Sequence, residues 1–114
     1  MEFKIKDLEY ALERYTNVVG AIEDKSDREN TNKRQAFINA FIGSASIYDL
    51  RDLFKIKDTN SIRYAVKKHE EKYLTYLDYC DSFRTAEAIK HMMKANKVLI
   101  NEEVFEKADA SALH

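Results

Sequence analysis

No proline interrupts this chain, and its 114 residues include only two glycines, Gly20 and Gly43. Tight turns and hairpins draw on both residue types, glycine for left-handed backbone and proline for a pre-set φ. A chain this poor in them closes few hairpins and is expected to be mostly helical. Hydrophobic residues make up 45% of it, enough at this length for a packed core without disulfides or metal. The expected fold class is all-α: a compact bundle of five to six helices, one domain over residues 1–114.

Apolar spacing places the helices. Ile5, Leu8, Leu12, Tyr15, Val18 or Val19, and Ile22 fall on one face of a helix over residues 3–23, which Gly20 loosens or ends. Residues 24–32 are polar and predict a loop. Phe37, Ile38, Phe41 and Ile42 predict a second helix over 32–43, with Gly43 suited to its C-terminal cap. Ser46 fits an N-cap for a helix over 47–54 that buries Ile47, Leu50, Leu53 and Phe54. Lys55-Ile56-Lys57 makes a turn. Asp58 or Thr59 then caps a fourth helix continuing to about Cys80, with Ile62, Ala65, Val66, His69, Tyr73, Tyr76 and Leu77 as its inner stripe. Asp81 or Ser82 caps a fifth over 83–97. Val98-Leu99-Ile100 reads as a strand or a packed extension, and residues 101–109 as a last short helix.

The lone cysteine, Cys80, rules out an internal disulfide and suggests a reducing compartment. The charged N-terminus carries no secretory pattern, and no stretch approaches the roughly 20 apolar residues of a membrane span. The expectation is a cytoplasmic protein with no membrane contact. Net charge is -1, but it is unevenly spread. Residues 1–32 hold five Lys/Arg against eight Asp/Glu, residues 33–72 nine against five, and residues 73–114 five against seven. Only the middle block is basic, which suits a local phosphate-binding face as well as an ordinary solvated one.

That block contains the chemistry. Residues 46–69 read as two helices joined by a tight turn, the second opening on Asp58-Thr59-Asn60-Ser61. A helix that enters a DNA major groove presents its first residues to the base edges. Asn60 has the two-pronged amide that pairs with adenine, and Arg63 suits guanine or phosphate. Ser61 and the helix-start N–H groups suit a phosphate oxygen, with Lys55, Lys57, Lys67 and Lys68 adding further contacts. The plainer reading is a helical hairpin with a good N-cap.

The same segment resembles the C-terminal DNA-binding domain of the bacterial replication initiator DnaA. That family's pattern, S-L-x-E-I-G-x-x-F-G-G-R-D-H-T-T-V-x-H-A-x-R-K-I, lies on residues 46–69 without a gap. Ser46, Asp49, Leu50, Phe54, Lys57, Asp58, Ser61, Ile62, Ala65, Lys67 and Lys68 match or are conservative replacements. The family's upstream arginine-glutamine pair is similar to Arg34-Gln35. The resemblance covers a helix-turn-helix core of about 34–69, with 73–109 as a helical extension. It implies that Asp58, Thr59, Asn60 and Ser61 face the major groove; together with Arg63 from the residue reading above, the expected base contacts are Asp58, Thr59, Asn60 and Arg63. The family's basic minor-groove loop corresponds here to Lys25, Arg28 and Lys33, diluted by Asp24, Asp27 and Glu29, and Arg34 and Arg28 are expected to contact phosphate. Departures are specific: Thr59-Asn60 replaces histidine-threonine, Arg51 replaces a glycine, and Lys55 and Ile56 replace the two turn glycines. No phosphate-binding G-x-x-x-x-G-K-[ST] loop exists, so the resemblance is to a stand-alone, Trp-repressor-like module of a phage, mobile-element or regulatory kind and not to an ATP-driven initiator.

The remaining residues are less specific. His69, His91, His114 and Cys80 fit no zinc spacing, so no metal or other cofactor is expected. No nucleophile and base pair is readable, so neither an enzyme nor a small-molecule substrate is expected. Tyr73, Tyr76, Tyr79 and Phe83 share helical spacing and read as core plus a homodimer or protein-partner seam. The leading expectation is a sequence-specific duplex-DNA binder in replication control or transcriptional regulation. The rival is a helical protein-interaction module, of a phage adaptor or inhibitor kind, that uses the hairpin only as a scaffold.

Overall fold

A computed structural model describes the backbone of residues 3–113 and the side chains of residues 3–96. Five helices follow one another: α1 (Ile5–Val19), α2 (Arg28–Phe41), α3 (Ile47–Leu53), α4 (Asn60–Thr75) and α5 (Leu77–Leu113). Among the described residues the only β pairing is an isolated parallel bridge, Phe3 to Ala45. The fold is an all-α bundle.

Helix α2 is its axis. Ala36, Phe37, Ile38, Ala40 and Phe41 are all buried. Phe37 stacks on Phe41 at 4.6 Å between ring centres and meets Tyr15 of α1 at 5.3 Å and Phe54 at 5.7 Å. Phe3 closes the far end edge-on to Phe41. Leu8 and Ala11 of α1, Leu50 of α3, Ile62 and Ala65 of α4, and Ala86, Ile89 and Met93 of α5 complete the core.

Polar bonds lock the same helices together. The Asn39 amide of α2 donates to the Ala65 carbonyl (3.0 Å) and the Tyr79 hydroxyl (2.9 Å). That hydroxyl lies 2.7 Å from His69 Nδ1. Since it accepts from Asn39, its own proton is free to donate to a neutral imidazole. Burial acts on both partners: it pushes the Tyr79 phenol up to about 12 and holds His69 below its ordinary value against the opposing charges of Glu87 and Glu70. Lys72 of α4 donates to Asn32 of α2 at 2.9 Å.

Several boundaries differ from the sequence reading. The loop expected over 24–32 ends early, because the Asp27 carboxylate accepts from the Asn30 N–H and starts α2 at Arg28. Gly20 ends α1 with φ +96°, whereas Gly43 is not left-handed and α2 caps on Ile42 in right-handed geometry. The fourth helix does not reach Cys80: extended backbone at Tyr76 breaks it after Thr75. Asp81 and Ser82 therefore lie inside α5, not at its start. Val98-Leu99-Ile100 is helical backbone of α5, not a strand, and 101–109 continues the same helix. Helix α5 also supplies core side chains to α1, α2 and α4, so residues 77–93 are part of the body and no appendage to it.

Candidate nucleic-acid interface

The site begins with how α3 stops. Ser46 caps its start, accepting from the Tyr48 N–H at 3.1 Å. At its end Lys55 takes a left-handed φ of +55°. Its N–H donates to Asp52 O at 3.2 Å, and the Ile56 N–H reaches back to Arg51 O at 2.9 Å. These two bonds form a complete Schellman cap, with lysine in the position glycine usually fills. The turn so formed keeps Phe54 against Phe37 and delivers the chain to α4.

Helix α4 starts with a self-contained polar cluster. The Asp58 carboxylate accepts from the Asn60 N–H at 2.7 Å, satisfying one of the free donors of the first turn. The Arg63 guanidinium donates to the Thr59 hydroxyl (3.0 Å) and the Asn60 amide oxygen (3.3 Å). Ile62 and Ala65 anchor the opposite face in the core. The outward stripe is therefore Asn60, Arg63, Tyr64 and Lys67, at i, i+3, i+4 and i+7, and all four are exposed. Val66 was expected inward, yet it is 42% exposed, one position outside the stripe of Ile62 and Ala65 that reaches the core.

Neither a known protein family, nor a curated protein, nor a solved structure matches this chain. The site therefore stands on its own geometry.

The fold gathers some of the expected DNA contacts and disperses others. Asp58, Thr59, Asn60, Ser61, Arg63 and Lys67 share the first two turns of α4 or its cap, with Lys55 and Lys57 in the turn before. Lys68 is exposed only in part. It lies over the Tyr64 ring at 5.7 Å and pairs with Glu71 at 3.2 Å, whose hydrogen bond and charge raise the ammonium above its ordinary value. Arg34 is committed elsewhere: its guanidinium donates to the Glu23 and Lys25 carbonyls and the Thr31 hydroxyl, fastening the loop between α1 and α2. Arg28 lies over the Tyr76 ring at 5.1 Å. That is the other end of α4, about 24 Å along a helix of this length, so Arg28 is not part of the cluster.

The aromatic seam is also redistributed. The break at Tyr76 puts Tyr73 and Tyr79 on different helices. Tyr79 is fully buried, and Phe83 and Tyr73 pack with His69 in a ring cluster joining α4 to α5. Tyr79 is thus an internal joint and not a partner surface. Sequence reasoning had missed Tyr64. Its signal was there, since it falls four residues after Asn60 on the same stripe. Among the described residues no three His, Cys, Asp or Glu side chains converge to hold a metal, and no helix is long and apolar enough to cross a membrane. His114 lies outside the described residues.

Proposed function

We propose that this chain binds duplex DNA sequence-specifically, with the start of α4 in the major groove, and acts in replication control or transcriptional regulation. The observation that carries the reading is the hydrogen-bonded cluster Thr59, Asn60 and Arg63 at the start of α4, where Asp58 holds the Asn60 N–H. Lys67 extends the same stripe one turn further. Such a surface combines a bidentate amide, a guanidinium fork and cations for phosphate, which are the groups that read bases and track the backbone. The resemblance of residues 46–69 to the initiator's DNA-binding domain points the same way. Arg63 holds Asn60 in one orientation, and on binding it exchanges that bond for one to a base or phosphate.

The experiment is selection from a randomised duplex library, followed by anisotropy titrations at two salt concentrations. An enriched motif is expected. Asn60→Ala should relax the preference, costing about 1–3 kcal/mol at one position. Lys67→Ala should weaken every duplex alike and shallow the salt slope by about one. No enrichment and no binding at low salt would refute the proposal.

One feature favours the rival, a helical protein-interaction module. Leu74 and Leu77, on either side of the break at Tyr76, are 77% and 83% exposed. Flow-through from a DNA column at low salt, together with a stable homodimer, would support it.

A further inference from the structure

A groove of about 1000 Å³ runs between α1, the α1–α2 loop and the α3–α4 turn. Leu12, Ile22, Leu53, Phe54 and Ile56 are among the apolar side chains that line it, each only half-buried against the core beneath. Glu9, Glu13, Glu23, Asp24 and Asp52 supply its carboxylates, and all five are exposed. The cationic side chains among its lining residues are Arg34 and Lys55. Arg34 is spent on the loop carbonyls described above. Of the carboxylates, Glu23 pairs with Lys25 at 2.9 Å and Asp52 with Arg51 at 3.0 Å. Glu9, Glu13 and Asp24 make no ion pair among the described residues.

We infer that this groove docks a basic amphipathic helix of a partner protein. The wall supplied by α1 carries Ile5, Glu9, Leu12, Glu13 and Thr16, the spacing of a single helix face. From Ile5 to Thr16 that wall is about 16 Å long, the length of about three helical turns. An apolar stripe on the partner would lie on the Leu12, Ile22 and Phe54 side chains. Its Lys or Arg residues, flanking that stripe, would meet Glu9 and Glu13 on one side and Asp24 on the other. This is the helix-in-groove mode of recognition, with charge complementarity setting orientation and excluding acidic partners. An extended segment is a poorer occupant, because the described residues around the groove offer no strand edge to pair with. DNA is a poorer one still, since the carboxylates repel phosphate. The groove shares Lys55 with the proposed DNA surface, but Glu9, Glu13, Asp24 and the apolar side chains invoked here take no part in it, so the inference does not rest on the DNA reading of α4.

The test is anisotropy of a fluorescent amphipathic peptide of about three to four turns, lysines flanking a leucine stripe, titrated with the full chain. Its partner probe has every lysine replaced by glutamate. Two double variants change net charge equally: Glu9→Lys with Glu13→Lys in the groove, and Glu70→Lys with Asp81→Lys outside it. All four positions are exposed, and circular dichroism verifies that each variant folds. The basic peptide should saturate and the acidic one should not. The groove variant should weaken binding by at least about tenfold, and the outside variant by less than about twofold. Glu9→Gln with Glu13→Gln should fall between. Absence of saturable binding, equal binding of both peptides, or equal losses in both charge-reversed variants would overturn the inference.

Discussion

Replacing Lys55 by glycine should make the protein more stable, although it deletes a side chain. Lys55 is the only non-glycine residue with positive φ among those described, at +55°. A side chain in the left-handed region costs roughly 1–2 kcal/mol from the approach of Cβ to the carbonyl oxygen. Glycine escapes that cost but gives the unfolded chain more freedom, returning about 0.4–1 kcal/mol. The net gain is about 0.5–1 kcal/mol. For 114 residues, with an unfolding entropy of about 2.1 cal/mol/K per residue, that corresponds to a rise in Tm of roughly 2–4 °C. Lys55→Ala is the necessary control. It removes the same ammonium and methylenes but keeps the Cβ, so it should stay near the parent. Urea titrations of all three proteins, with the slope held common, give the comparison. A glycine variant no more stable than the alanine variant would mean that Lys55 does not hold the left-handed turn. The Schellman account of how α3 ends would then fail.

Further outcomes follow from the same geometry. Gly20 sits at φ +96° and ψ 161°, a region nearly closed to other residues, and an added Cβ would lie 3.3 Å from Lys33 Nζ; Gly20→Ala should cost about 1–3 kcal/mol by denaturant melt. Tyr79→Phe removes the hydroxyl shared by Asn39 and His69 and should cost about 1–3 kcal/mol, while a loss under about 0.5 would show that the bridge is not needed. Burial keeps the His69 imidazole below its ordinary 6.5, so on acidification the unfolded chain takes the proton first. Stability should be full above pH 6.5, decline as pH falls through that value, and level off once the folded imidazole protonates. His69→Gln should remove that share of the slope, as seen by melts on either side of neutrality. Asp58→Ala should cost about 1 kcal/mol through the lost hydrogen bond to the Asn60 N–H, and an unchanged melting point would refute that contact.

Much of the architecture was legible because burial leaves a periodic mark. The Phe37, Ile38 and Phe41 spacing placed α2, the Ser46 cap placed α3, and Asp58 with Thr59 placed the start of α4. The break at Tyr76 left no such mark. No glycine or proline stands there, and helix-compatible residues continue on both sides, so only tertiary packing turns the chain. Asp27 was hidden for another reason: its cap opens a first helical turn made of Arg28, Glu29 and Asn30, which is as polar as any loop. Within the candidate site, the α4 stripe was readable from i, i+3 and i+7 spacing. The fates of Arg28 and Arg34 were not, because a cation's partner is decided by which carbonyls or rings the fold brings beside it. The acidic groove joins residues 5–24 with 52–56 and has no local pattern at all.

The central place of α2 has a consequence for how the chain comes to exist. Its partners arrive from both directions: Tyr15 precedes it, while Ala65 and Tyr79 lie 26 and 40 residues beyond Asn39. A nascent chain ending after α3 would hold the axis without its α4 and α5 packing, and the Asn39 amide would keep only its bond to the Gln35 carbonyl inside α2. Closing the loop to Tyr79 is what completes the structure, so folding should wait for α5 and then proceed in one cooperative step. A chain cut short of Tyr79 during synthesis would be left as a substrate for chaperones and proteases, not as a smaller working domain.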